Sequence, residues 1–568
     1  MKSFLKQHWV IIILSAAIGF IFVFPHVYLR TIDRGFFRGV DVLGSDAETH
    51  YVARVQEVYD GHLFLGSTYF WEGKNQPYLP PPFLEIATAY LGKILGMNAV
   101  QINIFAKFFF GFLLSFLLYF FVLELFGDKY LALMSSALTL LAPSLLSSSD
   151  MRSVFSWEIK NLEFLRYARP LNPAFSSLLL FGYLLSLYRL LKSSQIRYLF
   201  FCAVFLGLSF YAYFYFWTYL FLANGLFVLW FIYKNNWPEV KKIILISAGA
   251  LLIALPYLIH TVGLSAFSGY QETSERLGFF ISRSLTVSKL AVFTVFFIIF
   301  AFYKKLLSFN PFFIIAFTAS IFVINHQIIT GVNIQNDHYH WYVITPLAGI
   351  ALISTFYFYI KSILDKKFFP FVIIVCLAFF FLTGIIVQAK SYFSLREITI
   401  LNQRYAPILK WLNGNTFLDS VVFADGKFSE LIPAYTHNNV YYSAYAPYYL
   451  NSREDLENRF FLRLFFEGVN SENIISYLDE HRSETALYLF GLKYRYTNGC
   501  SSCFPDELNE KLAKEYMGFL KEDFMVKAQK YRLDYVVWDK KENPEWRLPL
   551  DKIEKLFEAD DINVYKLR

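Results

Sequence analysis

The chain has 568 residues, of which 56% are hydrophobic, 20% aromatic and 17% charged, and its formal net charge is +7. With a mean hydropathy of +0.40 it is too apolar for a soluble globular protein, and this composition indicates a polytopic membrane protein. The basic residues are spread among short loops between apolar runs and form no single patch, so nucleic-acid binding gains no support.

Eleven apolar runs of near-spanning length predict eleven transmembrane helices. No small-residue cleavage site follows the first run, which we therefore interpret as a retained helix and not as a signal peptide. The runs lie at residues 9–29, 101–126, 129–146, 173–191, 196–213, 215–233, 242–262, 287–303, 309–329, 342–360 and 369–388.

The loops between these runs predict an orientation. On the side of the N-terminus they contain fourteen basic residues against three acidic ones, so the positive-inside rule makes that side cytoplasmic. The long loop 30–99, the segments 147–172, 263–286 and 330–341, and the whole C-terminal region then lie outside a plasma (inner) membrane. Nucleotide-sugars are cytoplasmic, so an enzyme working on the outer side must use a substrate already carried across the membrane.

A carboxylate-rich stretch, GSDAETHYVARVQEVYDGH at 44–62, follows the first span and has two interpretations. In the first, Ser45 and Glu48 form a capping box and Asp46 sits in the first turn of a helix, where the macrodipole favours negative charge. In the second, Asp46, with Glu48 as the other candidate, is a catalytic carboxylate at the membrane surface. The periodicity predicts an amphipathic helix lying flat on the membrane.

Two further outward segments contain candidate ligand-binding residues. Arg152, Arg166 and Arg169 suit a phosphate, because a planar guanidinium donates two parallel hydrogen bonds, and Asp150 is a candidate for the acceptor or for assisting the first-loop acid. Interfacial snorkelling beside acidic partners is the alternative. Segment 264–286 has the position of a mobile flap over the site.

The segment 325–341, NHQIITGVNIQNDHYHW, lies between two predicted spans. Gln335, His338 and His340 are candidates for hydrogen bonds to a lipid phosphate or to sugar hydroxyls. A divalent metal site is a minor alternative, because a catalytic zinc normally needs three protein ligands at settled spacing, and a plain polar interfacial loop is another.

After residue 388 the composition becomes that of a soluble domain. DSVVFAD, NVYY and LDYVVWD predict short buried strands, and KLFEADDINVYKL predicts a terminal hairpin, with helical stretches between them. Cys500 and Cys503 are interpreted as a small loop disulfide or as two free thiols; redox chemistry or half of a metal site also suits the spacing. Acceptor docking or support of the membrane region is the expected role.

The first loop resembles the GT-C membrane glycosyltransferases, in particular the aminoarabinose transferase and protein O-mannosyltransferase type. The matching residues are Asp46, Glu48, Tyr51, Arg54, Glu57, Gly61 and Pro81-Pro82. Two departures are visible: the acid pair is split by Ala47, and the basic residue that often precedes Pro-Pro is absent, with Lys74 as a substitute for it. The loop is also similar to that of oligosaccharyltransferases, but the C-terminal region has no Trp-Trp-Asp-Tyr-Gly signature.

The resemblance implies a mainly α polytopic membrane protein with a GT-C-like catalytic region at 1–388, which includes the loop 30–99, and an extracytoplasmic α/β domain at 389–568. It implies transfer of a sugar, with inversion and with no required cofactor, from a polyprenyl-phosphate donor to a hydroxyl of a lipid, glycan or protein acceptor. Two alternatives remain: a polysaccharide polymerase or oligosaccharyltransferase-like enzyme with a lipid-diphosphate donor, and a lipid or glycan transporter. We expect ionisable residues inside the spans of a transporter, and the spans contain very few.

Overall fold

A computed structural model describes residues 2–44, 47–156, 163–306, 310–424 and 426–568, with side chains from residue 6 onwards. Asp46 and Ser45 lie outside the described residues. Helices make up most of the first 401 residues. They are α1 Lys2–Thr31, α2 Glu48–Tyr59, α3 Phe83–Leu95, α4 Ala99–Phe126, α5 Lys129–Leu141, α6 Ser148–Phe155, α7 Ser176–Ser193, α8 Ile196–Ser209, α9 Phe214–Tyr233, α10 Trp237–Leu264, α11 Tyr270–Arg276, α12 Lys289–Tyr303, α13 Pro311–Val323, α14 Gln327–Thr330, α15 Asp337–Tyr339, α16 Thr345–Ile363 and α17 Phe369–Leu401.

Within the described residues, seven helical segments are long and apolar enough to cross a membrane: Lys6–Thr31, Ala99–Phe126, Pro170–Ser193, Phe214–Tyr233, Trp237–Leu264, Asp337–Ile363 and Phe369–Asn415. The other four predicted spans correspond to the shorter apolar helices α5, α8, α12 and α13. A mainly helical chain with several candidate membrane spans is therefore confirmed. Eleven crossings remain a prediction, because 13 to 15 residues at a rise of about 1.5 Å each are shorter than the hydrocarbon layer.

Close contacts between small residues hold the bundle together. Ser115 on α4 accepts a hydrogen bond from Ser15 on α1 and lies 3.0 Å from the hydroxyl of Ser136 on α5. A Cβ on Gly111 would lie 2.6 Å from the ring of Phe22, so glycine is what lets α1 approach α4 this closely. Such small and weakly polar interfaces are typical of helix packing in membranes, where apolar burial alone does not drive association.

Helix α2 differs from its prediction in two ways. It begins at Glu48 with Ala47 as its N-cap, and no side chain caps it, so Glu48 cannot be the third helical residue of a capping box. It also has no face in water. Its polar and apolar residues are both buried, because α3, α4 and a helix of the C-terminal region, α19, pack against it. Its orientation relative to the membrane stays a prediction.

The C-terminal region contains a mixed five-stranded sheet with the order β4-β3-β5-β7-β6. The first three of these strands are parallel and the last two form the predicted antiparallel hairpin. The strands are β3 Val421–Phe423, β4 Asn439–Val440, β5 Tyr535–Asp539, β6 Ile553–Ala559 and β7 Ile562–Leu567, and β1 Phe279–Ile281 pairs with β2 Val332–Ile334 in the membrane-spanning half. The helices are α18 Ala406–Asn415, α19 Gly426–Tyr435, α20 Arg453–Phe466, α21 Ile474–Glu480, α22 Arg482–Phe490, α23 Lys493–Thr497, α24 Asp506–Leu520 and α25 Phe524–Gln529.

The first loop is part of the hydrophobic core of this C-terminal region. The carbonyl of Tyr69 accepts a hydrogen bond from the backbone of Val440, at the edge of the sheet. The buried guanidinium of Arg459 lies 3.8 Å from the ring of Phe70 and forms an ion pair of 2.6 Å with Glu72. The loop therefore connects the spanning helices to the sheet by packing as well as by chain connectivity.

Candidate functional site

A cavity of about 600 Å³ opens where α5, α7 and α16 end or begin. Its walls combine arginines, carboxylates and aromatic rings from both halves of the chain. They are formed by Pro143, Ser144, Asp150, Ser153, Val154, Glu163, Phe164, Leu165, Arg166, Arg169, Asp337, His338, Trp341, Tyr342, Val387, Arg495 and Tyr496. Of the residues predicted from the sequence, the structure brings together Asp150, Arg166, Arg169 and His338.

Arg166 has two supports. One of its guanidinium nitrogens lies 3.2 Å from a carboxylate oxygen of Asp150, and the guanidinium carbon lies 3.3 Å from the centre of the Trp341 ring. Burial lowers the pKa of Arg166 from its ordinary value, and Asp150 opposes that shift. An arginine stays protonated under such a shift, so the cavity contains a fixed cation whose planar face is held by an aromatic ring.

Arg169 connects the cavity to α2. Its guanidinium donates a hydrogen bond to the hydroxyl of Tyr342. Burial raises the pKa of Tyr51, on the first turn of α2, to about 12, and the charge of Arg169 opposes this rise. The helix that follows Asp46 in the chain therefore begins beside the cavity wall. Gly44, which precedes the undescribed pair, lies so close to Phe164 of the cavity that a Cβ on it would be 3.1 Å from that ring.

His338 is fixed by tyrosines. Its ring is stacked on Tyr215 with centroids 4.5 Å apart, and its Nδ1 is hydrogen-bonded to the hydroxyl of Tyr213. The aromatic segment 209–220 thus packs beside the cavity.

The other predicted ligands do not line the cavity. The Nδ1 of His340 lies 3.0 Å from Ser288, and the amide of Gln335 donates to the carbonyl of Leu277 at 2.6 Å. Arg152 is exposed on α6. The sequence grouped these residues by proximity along the chain, but alternate residues of a helix point in different directions.

Lys74 also lies elsewhere. It is buried and forms ion pairs of 2.9 Å with Glu57 of α2 and 2.6 Å with Asp419 of the C-terminal region. Arg54, another residue of the family resemblance, pairs with Glu85 at 2.6 Å in the interior of the first loop. Both cations therefore hold the loop together. Lys74 does not line the cavity, so its role at a phosphate stays a prediction.

Glu48 is 2% exposed and does not line the cavity. Its carboxylate accepts a hydrogen bond of 2.9 Å from Asn103 and lies 2.5 Å from the ammonium group of Lys107, both on α4.

Sequence reasoning missed Arg495 and Tyr496. They lie on α23 of the C-terminal region, where Tyr496 stacks on Phe280 of β1 with centroids 5.6 Å apart. Arg495 is exposed and, within the described part of the chain, has no ion-pair partner. No signal in the local sequence marks it, because its relation to Arg166 depends on the packing of α23 against β1. Nearby, Cys500 and Cys503 form a disulfide.

Segment 264–286, which the sequence suggested as a mobile flap, packs on the C-terminal region. Arg276 is buried, and its guanidinium donates to the carbonyls of Pro447 at 2.9 Å and Asn451 at 2.5 Å. Strand β1 of this segment pairs with β2, which leads into the helix of His338. No group of three or more metal-ligand side chains converges among the described residues.

No protein-family profile matches the chain, and no curated protein matches it by sequence. Among solved structures, the Archaeoglobus fulgidus oligosaccharyltransferase in its apo form aligns with a TM-score of 0.50 at 14% identity, over 95% of this chain and 70% of that chain. ArnT from Cupriavidus metallidurans bound to undecaprenyl phosphate aligns with a TM-score of 0.44 at 12% identity, over 76% of this chain and 85% of that chain.

The mycobacterial arabinofuranosyltransferase AftD aligns with a TM-score of 0.46 at 12% identity, over 99% of this chain and 40% of that chain. The structural neighbours are thus GT-C glycosyltransferases, the family that the first loop resembles. At these sequence identities the similarity shows the fold alone. It rests on the archaeal enzyme, whose TM-score is 0.50.

Proposed function

We propose that this protein is a GT-C glycosyltransferase that transfers a sugar from a polyprenyl-phosphate donor to an acceptor hydroxyl. The observation that carries the proposal is the cavity at the ends of the spanning helices, lined by the guanidinium groups of Arg166, Arg169 and Arg495. A lipid phosphate lies at this level of a membrane, and a partly desolvated guanidinium is a strong partner for phosphate oxygens.

In the proposed reaction Asp46 is the base. It accepts the proton of the acceptor hydroxyl while the hydroxyl oxygen forms a bond to the anomeric carbon. The bond between that carbon and the phosphate oxygen breaks on the opposite face, and the electron pair leaves with the lipid phosphate, so the configuration inverts. Arg166 and Arg169 stabilise the charge that develops on the leaving group. In this proposal His338 forms hydrogen bonds with the sugar, and Asp150 binds the acceptor or assists Asp46.

One observation favours a lipid-diphosphate donor as the second candidate. Arg495 adds a third cation to the cavity from the C-terminal region, and a diphosphate carries more negative charge than a monophosphate. No comparable observation among the described residues favours a transporter. Its expected mark, an ionisable residue in a span, does occur at Lys107 of α4, but that residue is paired with Glu48.

The test is turnover of purified protein in lipid nanodiscs with tritiated polyprenyl-phosphate sugars, followed as release of the polyprenyl phosphate. Arg166→Ala or Arg169→Ala is expected to lower turnover about 10- to 1,000-fold, on the scale of removing one preorganised electrostatic donor. Arg152→Ala, in the same loop but outside the cavity, is the matched control and is expected to stay within about twofold of wild type. Wild-type turnover in the double variant of Arg166 and Arg169 would show that the lipid phosphate does not bind in this cavity.

A further inference from the structure

Lys107 is a charged residue inside a spanning helix. It lies eight residues after the start of α4 at Ala99, which is about 12 Å along a helix, and it is 4% exposed. A lysine at such a position is costly to bury in the absence of a partner, so intramembrane lysines usually mark a functional element.

The ammonium group of Lys107 contacts two side chains from different helices. Its Nζ lies 2.5 Å from Oε1 of Glu48 on α2 and 2.9 Å from Nε2 of His26 on α1. Asn103, one helical turn before Lys107, donates a second hydrogen bond of 2.9 Å to the same oxygen of Glu48. Glu48 is the first residue of α2, so this contact holds the beginning of α2 against α4.

The network continues outward from His26. Because the ammonium donates to Nε2, His26 is neutral and carries its proton on Nδ1, which lies 3.7 Å from Oδ1 of Asp41. Asp41 also accepts two hydrogen bonds from Arg30, at 3.0 and 2.8 Å. Burial would raise the pKa of Asp41, but the nearby imidazole of His26 and the hydrogen bonds from Arg30 outweigh burial and hold this pKa below its ordinary value.

The charges of this network balance. Lys107 and Arg30 supply two positive charges, and Glu48 and Asp41 supply two negative ones. From the C-terminal region the hydroxyl of Tyr435 reaches it and accepts a hydrogen bond from the backbone of Asp41 at 2.8 Å. A balanced buried network specifies one arrangement of its partners, because removal of one member leaves a buried charge unpaired.

We propose that Lys107 is a positioning residue, which anchors the start of α2 to α4 through Glu48 and so supports the chain segment that carries the catalytic carboxylate. This inference rests on the proposed function. Asp46 is two residues before Glu48, so their Cα atoms are at most about 7.6 Å apart. Lys107 thus fixes the anchor point next to the residue that we propose as the base.

The first readout is the division between kcat and KM. Lys107→Met is expected to lower kcat about 10- to 100-fold, since a displacement of about 1 Å of a catalytic group has this effect, with KM for the donor little changed. Lys107→Arg is expected to recover most of the loss, because it keeps the charge. Lys361→Met, which breaks an exposed pair of 3.0 Å with Asp128, is the matched control and should behave as wild type.

A readout independent of turnover separates this inference from the proposed function. In Lys107→Met, hydrogen–deuterium exchange of the amides of residues 51–56 should accelerate at least about tenfold, and it should stay accelerated in the double variant Lys107→Met/Glu48→Gln, which also lacks the ion pair. Unchanged exchange in Lys107→Met would refute the anchoring of α2. Accelerated exchange in a protein that releases no polyprenyl phosphate would retain the anchoring and reject the glycosyltransferase.

Discussion

The arginines of the cavity differ in how far they are withdrawn from water. The side chain of Arg166 is 22% exposed, lies against Trp341 and is paired with Asp150, whereas Arg495 is exposed. A charge interacts more strongly with a phosphate where water is excluded, so Arg166 is expected to contribute more to leaving-group stabilisation than Arg495 does.

Among the residues of the candidate site, the sequence allowed us to predict those that lie close to one another along the chain. Asp150, Arg166 and Arg169 belong to one outward segment, and residue chemistry was enough to group them. Arg495 and Lys107 could not be found in this way. Arg495 meets the cavity only because α23 packs against β1, and the partner of Lys107 lies 59 residues away in another helix. Pairing of distant residues depends on tertiary packing, which no local pattern records.

For helix α2, too, the sequence predicted the local structure but not the tertiary contacts. Its periodicity predicted a helix, and the helix exists, but its start and surroundings differ from the prediction. The capping box assumed that Glu48 bonds to the nearest backbone amide, whereas the buried charge of Lys107 binds it instead. The alternation of polar and apolar residues was assigned to water and membrane, whereas the polar face is buried in ion pairs such as Lys74 with Glu57.

The end of α2 gives a pH-dependent prediction. Asp60 is its C-cap residue, where the helix dipole disfavours negative charge. Burial raises the pKa of Asp60 to about 6, although Gln56 donates a hydrogen bond to it that opposes the rise. Lys74 and His437 also oppose the rise, and Asp419 adds to it. The folded pKa therefore exceeds the unfolded one, about 3.9. Between these values the folded state binds more protons, so its stability falls as pH rises from about 4 to 6.

Asp60→Asn removes this titration and keeps a residue suited to a helix end. Its apparent melting temperature in detergent should exceed that of wild type at pH 7.5, and the two should converge towards pH 4.5. The exposed Glu472→Gln is the control, with no pH-dependent difference expected. A gain of the same size at both pH values would contradict the raised pKa of Asp60.

For the whole molecule, composition and hydropathy predicted a polytopic helical protein followed by a sheet-containing region, and the order of strands agrees with the predicted segments. The boundary was less visible, since α17 runs without a break from Phe369 to Leu401, through the predicted limit at residue 388. The insertion of the first loop into the core of the sheet region was not visible either, because its apolar residues suit a membrane surface equally well.

The orientation predicted from the basic loops is tested by cysteine labelling of intact cells. Ile475→Cys, at a position 58% exposed in the C-terminal region, should react with a membrane-impermeant maleimide. Asn235→Cys, in the loop between α9 and α10, should react only after permeabilisation. Wild type measures the background from Cys376, which is free and half-buried in α17; Cys202 is buried, and Cys500 and Cys503 are paired. The reverse labelling would place the cavity in the cytoplasm, where nucleotide-sugars are available.

In the proposed reaction, a carboxylate at the start of the first loop is the base for sugar transfer from a lipid phosphate held in the cavity. The most direct measurement is the rate of polyprenyl phosphate release by Asp46→Asn in nanodiscs, with donor binding measured on the same sample. We expect turnover to fall by about 100-fold or more, with donor affinity within about threefold of wild type, because the amide keeps the size of the side chain and loses the proton acceptor. Release at the wild-type rate by folded, donor-binding Asp46→Asn would contradict the account.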